Sequence, residues 1–344
     1  MSVQVRKYYW IDRSCNELGN GDVEAYITEA RHWARRAYDR LRSRRDTDFA
    51  RVFNVIFKTP KSDQVPYPKP SLWRLLNGTQ PKAEWVATIH HVLHLLHDFS
   101  HNWSRTPHRE MADVRLYFNA GAKRWVSIAD GRLYDPVNHV YNSSNWDDLT
   151  DSEAVTSFVL PCTPAPGRHE NPQRVTIDLL PPDYSTPGDR FSLAQIDPDA
   201  IATLGIHGLT RAVLPRVLLH QFMRTRAYLL DDFPGDDETA GWEYCMRRRK
   251  GEAAGCAESI AMLGLWAGLA DMRPAGKKRG GFTMDRAWDL IPGGWDDEHV
   301  LRDDEGEGVI RDGGTGKWDV RLRGNGPVHG EVRFYEDMTG NSPY

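Results

Sequence analysis

The chain of 344 residues is 40% hydrophobic and 27% charged, which is ordinary for a globular protein with a sizeable core. Its formal net charge of −4 argues against a general affinity for nucleic acid or for an anionic membrane. No run of about 20 apolar residues is present, so no bilayer span is predicted. The N-terminal segment lacks the apolar core of a signal peptide, and we therefore expect a cytoplasmic protein.

The cysteines are too few and too scattered for a disulfide framework or a C-x-x-C metal site. We predict reduced, buried thiols at the four positions, which are Cys15, Cys162, Cys245 and Cys256. A disulfide between Cys245 and Cys256 is the alternative, since the two lie eleven residues apart.

An amphipathic helix is predicted over residues 23–41. Its apolar residues recur along one stripe of an α-helix, and they are Tyr26, Ala30, Trp33, Ala37 and Leu41. Arginines are spread around the rest of this helix and do not line one face, so they indicate a solvated surface and not a nucleic-acid footprint. A second apolar segment, residues 49–57, is expected to pack on this helix.

Another helix, predicted over residues 83–101, carries a stripe of histidines. His90, His94, His97 and His101 recur at i, i+4, i+7 and i+11, which places them within roughly 60° of arc at about 100° per residue. Such a stripe can chelate a transition metal. The interpretation that we favour is a partly exposed histidine face without a functional metal, interleaved with apolar residues.

The pattern changes to β-prone segments after Ala112, with strands predicted over residues 113–118, 124–128 and 174–179. Helices are predicted again over residues 198–204, 211–230 and 252–271. The last of these presents small residues that permit close helix packing, namely Ala257, Ala261, Gly264 and Gly268. A basic, Gly-rich link follows, and we divide the chain into residues 1–274 and a β-prone C-terminal extension, residues 275–344.

The segment Leu218-Leu-His-Gln-Phe-Met-Arg224 is an altered form of the zinc-binding helix motif H-E-x-x-H. In that motif two histidines four residues apart bind Zn²⁺, and the glutamate between them is the general base. Here His220 holds the first ligand position, Gln221 replaces the base and Arg224 replaces the second ligand. An amide cannot take a proton from a metal-bound water, and a guanidinium cannot ligate a cation.

Five separated segments are similar to those of one peptidase family. They are Trp10-Ile-Asp-Arg-Ser-Cys15 (family I-D-x-S-C), Ala112-Asp-Val-Arg-Leu-Tyr117 (A-D-V-R-I-Y), the His220 segment (L-L-H-E-x-x-H), Asp237-Glu-Thr-Ala-Gly-Trp-Glu-Tyr-Cys245 (D-x-x-Y-G-W-x-x-C) and Cys256-Ala-Glu-Ser-Ile-Ala261 (N-A-D-S-Y-A). In this order and spacing they resemble the fungal aspzincin metallopeptidases, the deuterolysin and peptidyl-Lys metalloendopeptidase group. The resemblance covers residues 10–272 and leaves residues 275–344 outside.

This resemblance implies an α+β protein with a zincin-like metallopeptidase fold. We expect a helical N-terminal part, a small mixed β-sheet, an active-site helix and a short β-rich C-terminal appendage. The family's zinc site consists of two helix histidines and one aspartate. His220 and Asp237 match one histidine and the aspartate, whereas Gln221, Arg224 and Ala240 stand in place of the base, the second histidine and a motif tyrosine.

Two ligand positions would bind Zn²⁺ poorly, because catalytic zinc normally has three protein ligands. A buried aspartate without a cation is costly, so we predict that an Arg224–Asp237 ion pair replaces the metal and that Gln221 hydrogen-bonds nearby. The predicted binding residues of the cleft are His220, Arg224, Asp237, Glu238 and Trp242.

The leading hypothesis is a pseudopeptidase that binds no cofactor. Its cleft would bind a peptide or protein, or would be repurposed for non-hydrolytic chemistry on a small molecule; no nucleic-acid or membrane partner is expected. The alternative is an active zinc-dependent metalloendopeptidase with a rearranged metal site. In that case His207 or the histidine stripe would supply the missing ligands, with Glu238 or Glu243 as the base.

Overall fold

A computed structural model describes the chain in a series of segments separated by gaps. The described residues are 6–18, 22–42, 47–57, 83–118, 126–128, 133–138, 140–142, 157–161, 174–179, 192–196, 209, 213–230, 241–248, 250–272, 301–302, 307–311 and 318–322. These segments form helices packed beside a small mixed β-sheet, so the α+β class predicted from the sequence is confirmed.

Seven α-helices lie within the described residues. They are α1 (Val23–Arg42), α2 (Thr47–Ile56), α3 (Ala83–Asn102), α4 (Leu214–Met223), α5 (Trp242–Arg247), α6 (Lys250–Gly255) and α7 (Ala257–Asp271). Short 3-10 turns span Arg13–Glu17, Arg109–Met111 and Leu193–Gln195. Among the described helices, none combines the length and the apolar character needed to cross a lipid bilayer.

Helix α1 is central to the helical layer, where it contacts α2, α3, α4 and α7. All five residues of its predicted apolar stripe are buried, so the amphipathic pattern is confirmed. Close packing against α7 depends on small residues, because a Cβ placed at Gly268 would lie 2.8 Å from the Trp33 indole. The predicted packing of the second apolar segment on α1 is also confirmed.

The arginines of α1 lie at its surface, and several are bound to other groups of the protein. Arg36 donates to Asp271 at 2.6 Å, and Arg40 pairs with the same carboxylate. Arg31 donates to the backbone carbonyl of Ser100 at 3.0 Å. Part of this positive charge is therefore neutralised within the fold, on an otherwise solvated surface.

The main sheet has five strands in the order β2-β1-β3-β8-β7. They are β1 (Lys7–Ile11), β2 (Trp103–Arg105), β3 (Val114–Phe118), β7 (Ser157–Pro161) and β8 (Val175–Leu179). Neighbouring strands are parallel except for β7, which runs antiparallel to β8 at the edge. All residues of β3 and β8 are buried, as expected for parallel strands covered on both faces.

Two smaller antiparallel sheets complete the described strands. One consists of β4 (Val126–Ser127), β5 (Leu133–Asp135) and β6 (Val140–Asn142), and the other of β9 (Leu301–Arg302), β10 (Glu307–Arg311) and β11 (Trp318–Leu322). The second sheet lies in the C-terminal extension, where the sequence predicts short β-prone runs.

Several predicted boundaries are wrong. The helix predicted over residues 211–230 spans only Leu214–Met223, and the one predicted over 252–271 is interrupted at Cys256, whose backbone is extended (φ −94°, ψ 122°). Strands β1, β2, β5, β6 and β7 were not predicted. The helix predicted over residues 198–204 lies outside the described residues.

Candidate functional site

Helix α4 carries the His220 segment, which was interpreted from the sequence as an altered zinc-binding motif, and it lies in the protein core. Pro215 occupies the first turn, where its missing N–H costs no helical hydrogen bond, and all ten residues of the helix are buried. The Phe222 ring packs edge-on against Trp103 with centroids 4.9 Å apart, and it also contacts Phe99 and Tyr9. Aromatic packing therefore fixes one face of α4, and the polar residues of the motif project from the remaining faces.

A buried charged cluster joins α4 to α7. Arg216 and His220 are one turn apart on α4, which places both side chains on the same helix face. Arg216 Nη1 donates to Glu258 Oε1 at 2.5 Å, and His220 Nδ1 lies 2.6 Å from Glu258 Oε2. Glu258 is fully buried, and His220 is 6% exposed.

Gly241 provides the third interaction with the Glu258 carboxylate. Its backbone N–H donates to Glu258 Oε1 at 2.7 Å, and its φ of 100° lies in the left-handed region that glycine adopts without strain. Gly241 is the residue before α5. The carboxylate thus fixes the start of α5 relative to α4.

The charge of Glu258 is compensated inside the protein. Burial raises the pKa of this carboxyl, but the Arg216 charge and the His220 hydrogen bond lower it by more, so that it falls to about 2. A buried carboxylate is tolerated when it is paired and hydrogen-bonded, and Glu258 meets both conditions. It is therefore ionised at neutral pH.

The predicted site residues occupy different environments. Gln221 is buried on α4, and Arg224 is partly exposed at the C-terminal end of that helix, where its backbone N–H donates to the His220 carbonyl at 3.2 Å. Trp242 is 2% exposed and packs edge-on against Trp266 with centroids 5.4 Å apart.

Asp237 and Glu238 lie outside the described residues, as do Ala240 and His207. The Arg224–Asp237 ion pair therefore stays a prediction.

A second buried polar cluster holds the turn that follows α4. Tyr228 donates to Asp98 Oδ2 at 2.6 Å and accepts from Trp103 Nε1 at 2.7 Å, and Lys7 pairs with the same carboxylate. Burial raises the pKa of Asp98, but the hydrogen bonds from Lys7 and Tyr228 lower it by more. This cluster ties β1 and α3 to the chain just beyond Arg224, and so fixes the end of the motif helix.

His220, Gln221 and Arg224 together do not fit a zinc ion. His220 is the one imidazole among them, the Gln221 amide is a poor ligand for Zn²⁺, and the Arg224 guanidinium repels it. Within the described segments, three or more His, Cys, Asp or Glu side chains are nowhere grouped so as to hold a metal.

The histidine stripe lies on the outer face of α3. His90, His94 and His101 are exposed, and His97 is partly exposed. The His97 and His101 rings stack with centroids 4.3 Å apart, and His101 Nδ1 donates to the His97 carbonyl at 2.9 Å. Burial and the neighbouring His101 lower the pKa of His97. Ring stacking and a backbone hydrogen bond thus orient this pair.

Cys15, Cys245 and Cys256 are buried and carry reduced thiols, which confirms the prediction for these three positions. The disulfide between Cys245 and Cys256 is therefore a wrong alternative. Cys162 lies outside the described residues.

Arg216 and Glu258 were not predicted from the sequence as members of the site. Two signals were present: Arg216 precedes His220 by four residues, and Glu258 is the one charged residue among Ala257–Leu269. A single carboxylate in an apolar helix needs a buried partner. Because the partner lies on a different helix, it could be identified only from the three-dimensional structure.

No family model, curated protein or solved structure matches the chain.

Proposed function

We propose that this chain is a metallopeptidase-like pseudopeptidase with a zincin-like fold, and that its cleft binds a peptide or protein segment without hydrolysing it. The contact between His220 and the buried Glu258 supports this proposal most directly. A histidine that ligates a metal almost always has its second ring nitrogen held by a carboxylate or carbonyl. His220 has such a support, yet Gln221 and Arg224 replace the base and the second ligand.

The edge of the sheet favours an extended ligand. Among the described strands, β7 is one of the two edge strands of the main sheet, and it contacts α4. Edge strands present backbone N–H and C=O groups with which an extended peptide can pair. A peptide paired with β7 would run beside the helix that carries His220, Gln221 and Arg224.

The metal content of the purified protein tests the loss of the zinc site. Protein purified without chelators and analysed for metals is expected to contain far less than one zinc per chain. Zinc near one equivalent, together with peptidase activity that a chelator abolishes, would favour the rearranged metalloendopeptidase instead.

Restoring the motif tests the origin of the site. The double variant Gln221→Glu/Arg224→His is expected to bind about one equivalent of zinc, because it regains the second imidazole ligand beside His220. A matched control, Gln221→Glu/Arg224→Gln, removes the guanidinium without supplying an imidazole and should remain free of zinc. Equal zinc binding by the two variants would contradict the proposed ligand geometry.

A further inference from the structure

We propose that His90 and His94, on the outer face of α3, form a two-imidazole binding site for Cu²⁺, with water completing the coordination of the ion. This site is separate from the cleft of the proposed function and does not depend on it. The four histidines of the stripe have different surroundings in the fold, and these differences point to its first two members as the ligands.

The last two histidines of the stripe are already engaged with other groups. The His97 and His101 rings stack with centroids 4.3 Å apart, and His101 Nδ1 lies 2.9 Å from the His97 carbonyl. The His97 ring also packs against Tyr38 with centroids 5.2 Å apart, and the Arg42 guanidinium lies over the same tyrosine. Stacking turns the faces of the two imidazoles towards each other, and the fixed positive charge of Arg42 disfavours a cation beside them.

The first two histidines are accessible. His90 and His94 are both exposed, and among the described residues neither forms a hydrogen bond, an ion pair or a ring contact. They are four residues apart within α3, a spacing that places their Cβ atoms about 5–6 Å apart on one face of the helix. Both imidazoles can therefore reach one ion by rotation of their side chains, without a change in the backbone.

The buried face of α3 fixes the backbone that carries this pair. Ile89, Val92 and Leu93 are buried, and the helix packs on α1. Because the helix is held on its inner face, His90 and His94 stay on its outer face before a metal binds. Binding then has to order only two side chains, which keeps its entropic cost small.

Two imidazoles select for a particular class of metal ion. Mg²⁺ and Ca²⁺ prefer oxygen ligands, whereas imidazole suits Cu²⁺, Ni²⁺ and Zn²⁺. Of the divalent first-row ions, Cu²⁺ binds most tightly to a given set of ligands, and its tetragonal geometry accepts nitrogen and oxygen ligands together. Protein sites for Zn²⁺ normally supply three or four ligands, so a pair of histidines should hold zinc less tightly than copper.

Titration of the full-length protein, without a histidine tag, tests the site with Cu²⁺ alone. We expect one equivalent to bind, and His90→Gln and His94→Gln should each weaken the binding at least about tenfold, because either change abolishes chelation by two linked ligands. His101→Gln, on the same helix, and His108→Gln, outside it, are matched controls that should keep the affinity of the wild type. Unchanged affinity in His90→Gln/His94→Gln, or an equal loss in His101→Gln, would overturn the proposal.

Electron paramagnetic resonance of the Cu²⁺ complex counts the ligands. At one equivalent of copper, the wild type should show coupling to the nitrogens of two imidazoles and His94→Gln to those of one. Coupling to a single imidazole in the wild type would contradict a site formed by the pair. Metal analysis of His90→Gln/His94→Gln separates this site from the cleft, because a metal held at His220 would remain in that variant.

Discussion

Replacement of Glu258 by Gln is the perturbation to which the charged cluster should respond most strongly. The change keeps the shape of the side chain and one acceptor oxygen but removes the charge. The NH₂ group of the new side chain, itself a hydrogen-bond donor, must face another donor, because Arg216, His220 and Gly241 all donate to this side chain. Arg216, which is 4% exposed, would then be a buried cation without its counterion.

Two routes give the size of the effect. Breaking a buried ion pair by removing one partner costs about 3–5 kcal/mol. Independently, the pKa of Glu258 falls from 4.5 to about 2, which corresponds to about 3 kcal/mol at roughly 1.4 kcal/mol per unit. With a denaturant slope of about 3 kcal/mol per molar urea, the unfolding midpoint of Glu258→Gln should fall by about 1 M or more.

A double-mutant cycle in urea at pH 7 measures this coupling. The single variants Glu258→Gln and Arg216→Met are each expected to be destabilised, whereas the double variant should lose less than the sum of the two, by at least about 1 kcal/mol. Arg216→Met should cost less than Glu258→Gln, since His220 can still compensate the carboxylate. Losses that add to within about 0.5 kcal/mol would show that no coupled ion pair exists.

Three further predictions concern acid, packing and thiols. Because the folded pKa of Glu258 is lowered, the stability that it contributes is complete above the unfolded pKa of 4.5 and is lost as the pH falls towards about 2; urea midpoints measured over this range should fall more steeply for the wild type than for Glu258→Gln. Gly268→Ala should cost about 1–3 kcal/mol by overpacking against Trp33, and an unchanged melting temperature would contradict that contact. Ellman's reagent should leave Cys15, Cys245 and Cys256 unmodified until the protein unfolds, whereas rapid native labelling of more than one thiol per chain would contradict their burial.

Local periodicity was enough to predict α1, α3 and the two central strands β3 and β8. The apolar stripe of α1 and the β-branched residues of β8 are signals that depend on neighbouring residues alone. Strand β1 escaped prediction because Tyr9 is its one buried residue, so it shows no alternation. Its place in the sheet depends on pairing with β2 and β3. These two strands lie about a hundred residues further along the chain, so the residues around β1 give no signal of the pairing.

The C-terminal end of α4 was predicted wrongly for a different reason. Residues 224–233 include neither Gly nor Pro, so neither of these helix stop signals stands at the observed end of α4. The helix ends because Thr225 donates its hydroxyl to the Phe222 carbonyl at 2.6 Å and the chain turns at Leu229, whose φ is 55°. Likewise, the motif located His220, but its partner Glu258 lies 38 residues away and could be assigned only from the fold.

The charges of the motif helix lead to a last prediction. Converting Gln221 to Glu adds one negative charge, and converting Arg224 to His removes one positive charge, so the restored motif differs from the wild type by the charge that one Zn²⁺ supplies. In the absence of metal, the net charge of the double variant at this buried helix is therefore more negative by two units than that of the wild type. We expect the double variant to be less stable than the wild type when a chelator is present. Added zinc should recover that loss, because an ion that binds only the folded state stabilises it. Thermal unfolding with and without zinc measures both effects, with Gln221→Glu/Arg224→Gln as the control that zinc should not rescue. If the double variant were as stable as the wild type in a chelator, Gln221 and Arg224 would not be compensating for the charge of a lost metal.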